Sequence, residues 1–235
     1  MLAIFKREIR AYFTGVIGYV FMVAFLAVAG VVFAYTTLFS MSSDVTTYYT
    51  MMLLFSAIAL PILTMKSFSE EKKMKTEQLL LTSPVSITGM VVGKFLAAYA
   101  MFASALLFTS LYFLLLIPYA PLKLAILVGN IIALLLVGGV FITIGLFVSS
   151  LTENQLSAAV GSIVIIAAML GIALVAALIP ENYAIRFVLE GLSVFTRFQG
   201  FVNGYFEISS IVYYLSVAAI FLYLTIRVYD RRRYN

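Results

Sequence analysis

The chain has 235 residues, 64% of them hydrophobic and 11% charged, with a mean hydropathy of +1.12. A soluble domain keeps roughly a quarter of its residues charged to face water, so this composition excludes a water-soluble globule. The net charge of +5 is divided among separated basic segments, which argues against a nucleic-acid face, and the absence of Cys and His removes disulfides, Cys/His zinc sites, thiol nucleophiles and histidine acid–base chemistry.

Residues 1–13 predict an interfacial amphipathic helix. Phe5, Ile9, Tyr12 and Phe13 fall at i, i+4, i+7 and i+8 on one face, with Lys6, Arg7 and Arg10 mostly off it. The other reading is a frayed start to the first span. Three basic residues before an apolar run, with Ala27-Val28-Ala29 beyond, also have the outline of a signal peptide. The apolar run from Ala11 to Ala29 exceeds the roughly 7–15 residues of such a segment and continues to Phe39, so it reads as a span.

Six stretches carry no Asp, Glu, Lys or Arg: residues 11–43, 45–65, 95–122, 124–152, 154–180 and 208–226. About 20 apolar residues cross the hydrocarbon core as a helix, because each backbone N–H and C=O must find its partner inside the segment there. None of the six shows the period-two alternation of a membrane β-barrel. Spans are expected at about 15–39, 49–65, 87–117, 124–150, 154–179 and 208–229. Pro61 should kink the second span. With the N-terminus inside, Lys6, Arg7, Arg10, Lys66, Lys72, Lys73, Lys75, Lys94, Arg227, Arg231, Arg232 and Arg233 are cytosolic, against Lys123, Arg186 and Arg197 outside. That asymmetry obeys the positive-inside rule.

Between the second and third spans lies the one substantial cytosolic insertion. Residues 60–73 read LPILTMKSFSEEKK, residues 76–86 read TEQLLLTSPVS, and Gly93-Lys94 follows. Residues 69–81 predict a short charged helix across the inner face, ending at Ser83-Pro84 where proline disfavours helix at the preceding residue. Leu79, Leu80 and Leu81 add an apolar patch beside the charges. The plainer reading is a solvated charge run.

This block resembles the segment after the second helix of ABC-2-type transporter permeases, in the gliding-motility and nitrous-oxide-accessory branch. The resemblance implies a coupling helix, within residues 69–83, that seats in a separate ATP-binding subunit. Glu70, Glu71, Thr76, Glu77 and Leu80 carry over as ATPase-coupling residues. Lys75 departs from the pattern, standing where that family has Gly. Leu192-Ser193, Phe198, Phe201, Gly204, Tyr213-Tyr214-Leu215-Ser216 and Phe221-Leu222 with Leu224-Thr225 are similar to the last third of the same branch, with Arg197 in place of a common His and Ser210 in place of a common Asp.

Gly89 to Phe95 has three residues between its glycines and Phe after Lys94, so it lacks the spacing and the Mg²⁺-binding hydroxyl of a phosphate loop. Gly89/Gly93 and Ser157/Gly161 are small-residue pairs suited to close helix packing. Residues 181–207 form an outer re-entrant or surface segment, expected as two short helices broken at Gly191 and ended near Gly200, with Phe187, Val188, Leu192, Phe195 and Phe198 on one face. Phe195, Phe198 and Phe201 are the candidate outer gate.

No charged residue lies deep in any of the six runs, which disfavours an ion-coupled carrier and favours energy supplied from outside the bilayer. The expectation is an all-α integral membrane domain over residues 1–235. It has six transmembrane helices, an N-terminal interfacial amphipathic helix and a cytosolic coupling helix between helices 2 and 3. The resemblance implies a permease subunit of an exporter in the bacterial plasma membrane, with cytosolic termini. It would be no enzyme itself, binding no cofactor, while ATP and Mg reside in an ABC ATPase partner. A second permease subunit would complete the path. The alternative is a non-transporting membrane scaffold or assembly factor.

Overall fold

The computed structural model describes residues 2–40, 45–76, 86–116, 124–178, 183–205 and 207–234. Helices account for almost all of them, and no strand occurs among the described residues. In chain order they are α1 (Leu2–Thr14), α2 (Val16–Phe33, extended by a π-helical turn Ala34–Phe39), α3 (Thr46–Thr64), α4 (Lys66–Lys73), α5 (Ile87–Ser110, extended by a 3₁₀ turn Leu111–Leu116), α6 (Leu124–Leu151), α7 (Gln155–Leu178), α8 (Tyr183–Leu192), α9 (Val194–Val202) and α10 (Ile208–Tyr234).

Six helical stretches are long and apolar enough to cross a membrane: Val16–Phe39, Thr46–Lys73, Ile87–Leu114, Ala125–Leu151, Gln155–Leu178 and Ile208–Arg232. The charge-free runs anticipate each of them. Burial ranks them. The fourth stretch is 72% buried and the sixth only 11%, so α6 is the axis of the bundle and α10 lies at its edge. Apolar composition does not choose the axis, since the first and fifth stretches are nearly as apolar as the fourth yet only 28% and 22% buried.

Local chemistry sets the boundaries. Ser86 caps α5 by accepting from Gly89 N–H at 3.2 Å, and Asn154 Oδ1 accepts from Leu156 N–H at 2.9 Å to start α7. At the α1–α2 corner, a Cβ on Gly18 would overlap the Tyr12 carbonyl, so only glycine admits the turn. The helix passes through Pro61 without ending. Its hydrogen-bond ladder opens later, where Phe68 and Ser69 N–H both donate to Ser149 Oγ of α6 at 3.1 Å.

Two expectations need correction here. The charged helix expected over residues 69–81 begins at Lys66 as a continuation of α3 and ends at Lys73; residues 77–85 lie outside the described residues. Met65 holds right-handed helical dihedrals, which is why the chain runs on from the span. The outer helices break at Ser193 and not at Gly191. Ser193 Oγ accepts from Thr196 N–H at 3.1 Å, a cap that starts α9 two residues past the glycine.

Ion pairs and hydrogen bonds sort the bundle into two ends. Glu8 to Lys94, Lys72 to Glu153 and Arg232 to the Ser150 carbonyl gather α1, α4, the α6–α7 turn and the chain's last helical turns at one end. Gln199 to Thr50 and the packing of Gly204 by Ile126 put α9 at the other.

Candidate functional site

The described residues of the sequence motif, 60–76 and 86–94, gather around one buried cation. Lys94, on the second turn of α5, is 2% exposed. Its Nζ donates to the Ser67 carbonyl at 2.6 Å, to Glu71 Oε1 at 2.9 Å and to Glu8 Oε1 at 3.2 Å. An ammonium has three protons to give, and all three are placed. Arg7 Nη2 bridges the same carboxylates, at 2.7 Å to Glu8 and 2.9 Å to Glu71. Burial pulls the Arg7 guanidinium down, but the bonds to Glu8 and Glu71 outweigh it and leave its pKa raised. Two acids and two bases from α1, α4 and α5 thus neutralise one another, with Arg7 half-exposed at the rim and Lys94 buried beneath it, where a charge requires such partners.

Aromatic rings continue the site inward. Lys94 Nζ lies 5.0 Å from the centroid of the buried Phe68 ring, which packs 4.9 Å from the Tyr229 ring of α10. The Arg232 guanidinium lies over the Tyr229 ring, 5.3 Å from its centroid. Ser149 of α6 donates to the Met65 carbonyl at 3.0 Å while accepting the two α4 amides. The elements at this end therefore converge on α4 and its ion cluster; α7 packs against α4 as well, and Lys72 reaches Glu153 just before α7.

The residues carried over from the resemblance divide. Glu71 is spent on internal pairs and is 18% exposed. Glu70 lines the groove between α4 and α1. Thr76 is exposed beside Lys73, Met74 and Lys75, and Glu77 and Leu80 lie outside the described residues. The turn at Lys75 is a C-terminal helix stop: Thr76 N–H bonds the Glu71 carbonyl at 3.0 Å and Lys75 N–H the Lys72 carbonyl at 3.1 Å. Lys75 has φ +56°, the left-handed value that favours glycine.

At the opposite end, Phe198 and Phe201 are buried in the bundle core with Phe195 packed against them. The expected common face is corrected: Phe187, Val188 and Leu192 of α8 point outward while Phe198 points in, because the Ser193 cap re-aims the helix. Tyr213 hydroxyl donates to the Leu192 carbonyl at 2.5 Å and Tyr214 hydroxyl to the Val194 carbonyl at 2.9 Å, so α10 holds the break. Arg197 lies 4.6 Å from the Tyr213 ring and donates to the Gly191 carbonyl. Asn130 of α6 is fully buried, and the described residues supply no partner for either amide atom.

Sequence reasoning passed over Glu8 and Ser149. Glu8 had a signal: it falls between Phe5 and Tyr12 on the inward face of α1, where an acid needs a buried base. Ser149 had none, being one hydroxyl among many. Among the described residues, no group of three acidic side chains converges as metal ligands would. No protein-family model matches the chain, and no curated protein matches it.

Proposed function

We propose that the chain is the permease subunit of an ABC-2-type exporter, embedded in the bacterial plasma membrane with both termini cytosolic. A separate ATPase subunit binds ATP and Mg and supplies the work, and a second permease subunit completes the path. The observation that carries this reading is the anchoring of α4, which grows out of a spanning helix without a linker and is bonded to its neighbours on every side.

A push on the exposed turn at residues 73–76 travels by three routes. The direct junction at Met65, which keeps right-handed helical dihedrals, carries it to α3. The chain of charges from Glu71 through Lys94 to Glu8 carries it to α5 and α1. Phe68 against Tyr229, with Ser149 on the α4 amides, carries it to α10 and α6. In this mechanism Thr76, Glu77 and Leu80 meet the ATPase, and Glu71 transmits from behind. At the far end Phe195, Phe198 and Phe201 form an apolar seal that must part for the exported molecule to leave.

The test is co-expression with a candidate ABC ATPase subunit, taken from a gene next to that of this chain where one is present. The wild-type protein retains that ATPase through purification. Leu80→Asp, which buries an unpaired carboxylate at a cost of several kcal/mol, abolishes retention while helicity and monodispersity stay unchanged. Normal retention by Leu80→Asp, or no ATPase retained by wild type, overturns the reading in favour of a scaffold or assembly factor.

A further inference from the structure

A groove runs between the N-terminal helices and the α3–α4 rod, and its two halves differ in chemistry. The upper half is a cavity of about 590 Å³ lined by Arg7, Glu8, Lys66, Glu70, Glu71 and Lys94 among others. The lower half is a cavity of about 330 Å³ whose walls, from Val20 and Ala24 on α2 to Ile58 and Ile62 on α3, are apolar throughout. The halves are continuous, because Val16, Ile17 and Leu63 line both. A charged chamber opening into an apolar slot along the spanning helices has the outline of a single amphiphile lying parallel to them.

The charges narrow the headgroup. Three bases and three acids line the upper chamber, so its formal charge is zero. Four of the six are used on one another: Arg7, Lys94, Glu8 and Glu71. Lys66 and Glu70 remain, with no ion pair to any described residue. They stand at i and i+4 on α4, one turn and about 6 Å apart along the axis. A free base and a free acid one turn apart complement a phosphate and a primary ammonium joined by a short link. A purely anionic headgroup would leave Glu70 facing like charge.

We infer that this groove holds one phospholipid with an ethanolamine headgroup, its phosphate on Lys66, its ammonium on Glu70 and one acyl chain between α2 and α3. The primary ammonium donates a charge-assisted hydrogen bond that a trimethylated choline lacks. The inference stands apart from the transporter reading, since it requires neither an ATPase nor a transported molecule.

Native mass spectrometry of the full chain from detergent tests it, with phosphatidylethanolamine, phosphatidylcholine and phosphatidylglycerol of matched acyl chains added singly. One phosphatidylethanolamine per chain survives gas-phase activation, held about tenfold more strongly than either other lipid, as expected for one charge-assisted bond. Glu70→Gln removes the preference over phosphatidylcholine, and Lys66→Ala weakens all three lipids. Ala24→Trp, at an exposed position filling the slot, removes the retained lipid; Val20→Trp repeats the test should the first variant misfold. Equal retention of the three lipids by wild type overturns the inference. So does unchanged phosphatidylethanolamine retention in a folded Ala24→Trp protein.

Discussion

At the residue scale, Lys94 and Lys75 show how differently two lysines can be used. Lys94 is buried and fully bonded, so its removal leaves Glu8 and Glu71 sharing a site without their central cation. Breaking such a buried pair costs about 3–5 kcal/mol. Lys94→Met should therefore lower the melting temperature of the purified protein sharply. Adding Glu8→Gln and Glu71→Gln should recover most of the loss, since matched neutral groups need no cation. A large loss that persists in the triple variant would assign Lys94 to packing instead. Lys75 is exposed, and its cost lies in the backbone. A left-handed residue with a Cβ is disfavoured by about 1–2 kcal/mol, so Lys75→Gly should stabilise the protein by about 1 kcal/mol, read as a raised melting temperature. Lys75→Val should do the reverse. Lys75, where the ABC-2 permease pattern that the segment resembles has Gly, thus stands at a position whose backbone has the shape that glycine prefers.

At the scale of elements, the contact that positions α4 is the close approach of α3 to α6. A Cβ on Gly145 would overlap the Thr64 hydroxyl, whose own bond to the Leu60 carbonyl at 3.0 Å keeps it in place. The sequence pairs Gly89/Gly93 and Ser157/Gly161 were the readable small-residue spacings, yet the tight crossing uses a glycine outside both. Spacing on one helix is visible in sequence; which face meets which neighbour is not. Gly145→Ala should cost about 1–3 kcal/mol by overpacking. Thr64→Ala should make the Gly145 change nearly neutral in the double variant, a coupling of more than about 0.5 kcal/mol, as expected of residues in contact. Additive losses in thermal melts would break the proposed contact. One turn further on, Ser149 accepts from two α4 amides and donates to the Met65 carbonyl, tying α6 to the point where the spanning helix meets the charged segment.

At the scale of the molecule, the two ends are chemically distinct. Glu8, Lys72, Lys94, Glu153 and Arg232 are brought to one, and the aromatic wedge of α9 to the other. In the proposed topology, which rests on the excess of Lys and Arg, the first end is the cytosolic one. The chain has no cysteine, so single replacements report position directly. In intact cells, an impermeant maleimide should label Asn203→Cys and leave Glu153→Cys unlabelled until the membrane is opened. Labelling of Glu153→Cys from outside would invert the topology, and labelling of both from one side would overturn the six-span bundle.

The six spans were legible from sequence because hydrocarbon imposes a rule on each segment separately: enough apolar length, no charge, and every backbone group bonded within the helix. The caps at Ser86 and Ser193 likewise depend on a few adjacent residues, although Gly191 drew the expected break away from Ser193. Tertiary structure alone decided which helix became the axis, that Glu71 faces inward to Lys94, and that Glu8 from the far end of the sequence completes the pair. These depend on the relative rotation of helices, which apolar composition leaves open because lipid and protein present similar surfaces to an apolar side chain. Only the joint demand of a buried ammonium, two carboxylates and close-packed backbones selects one arrangement among them.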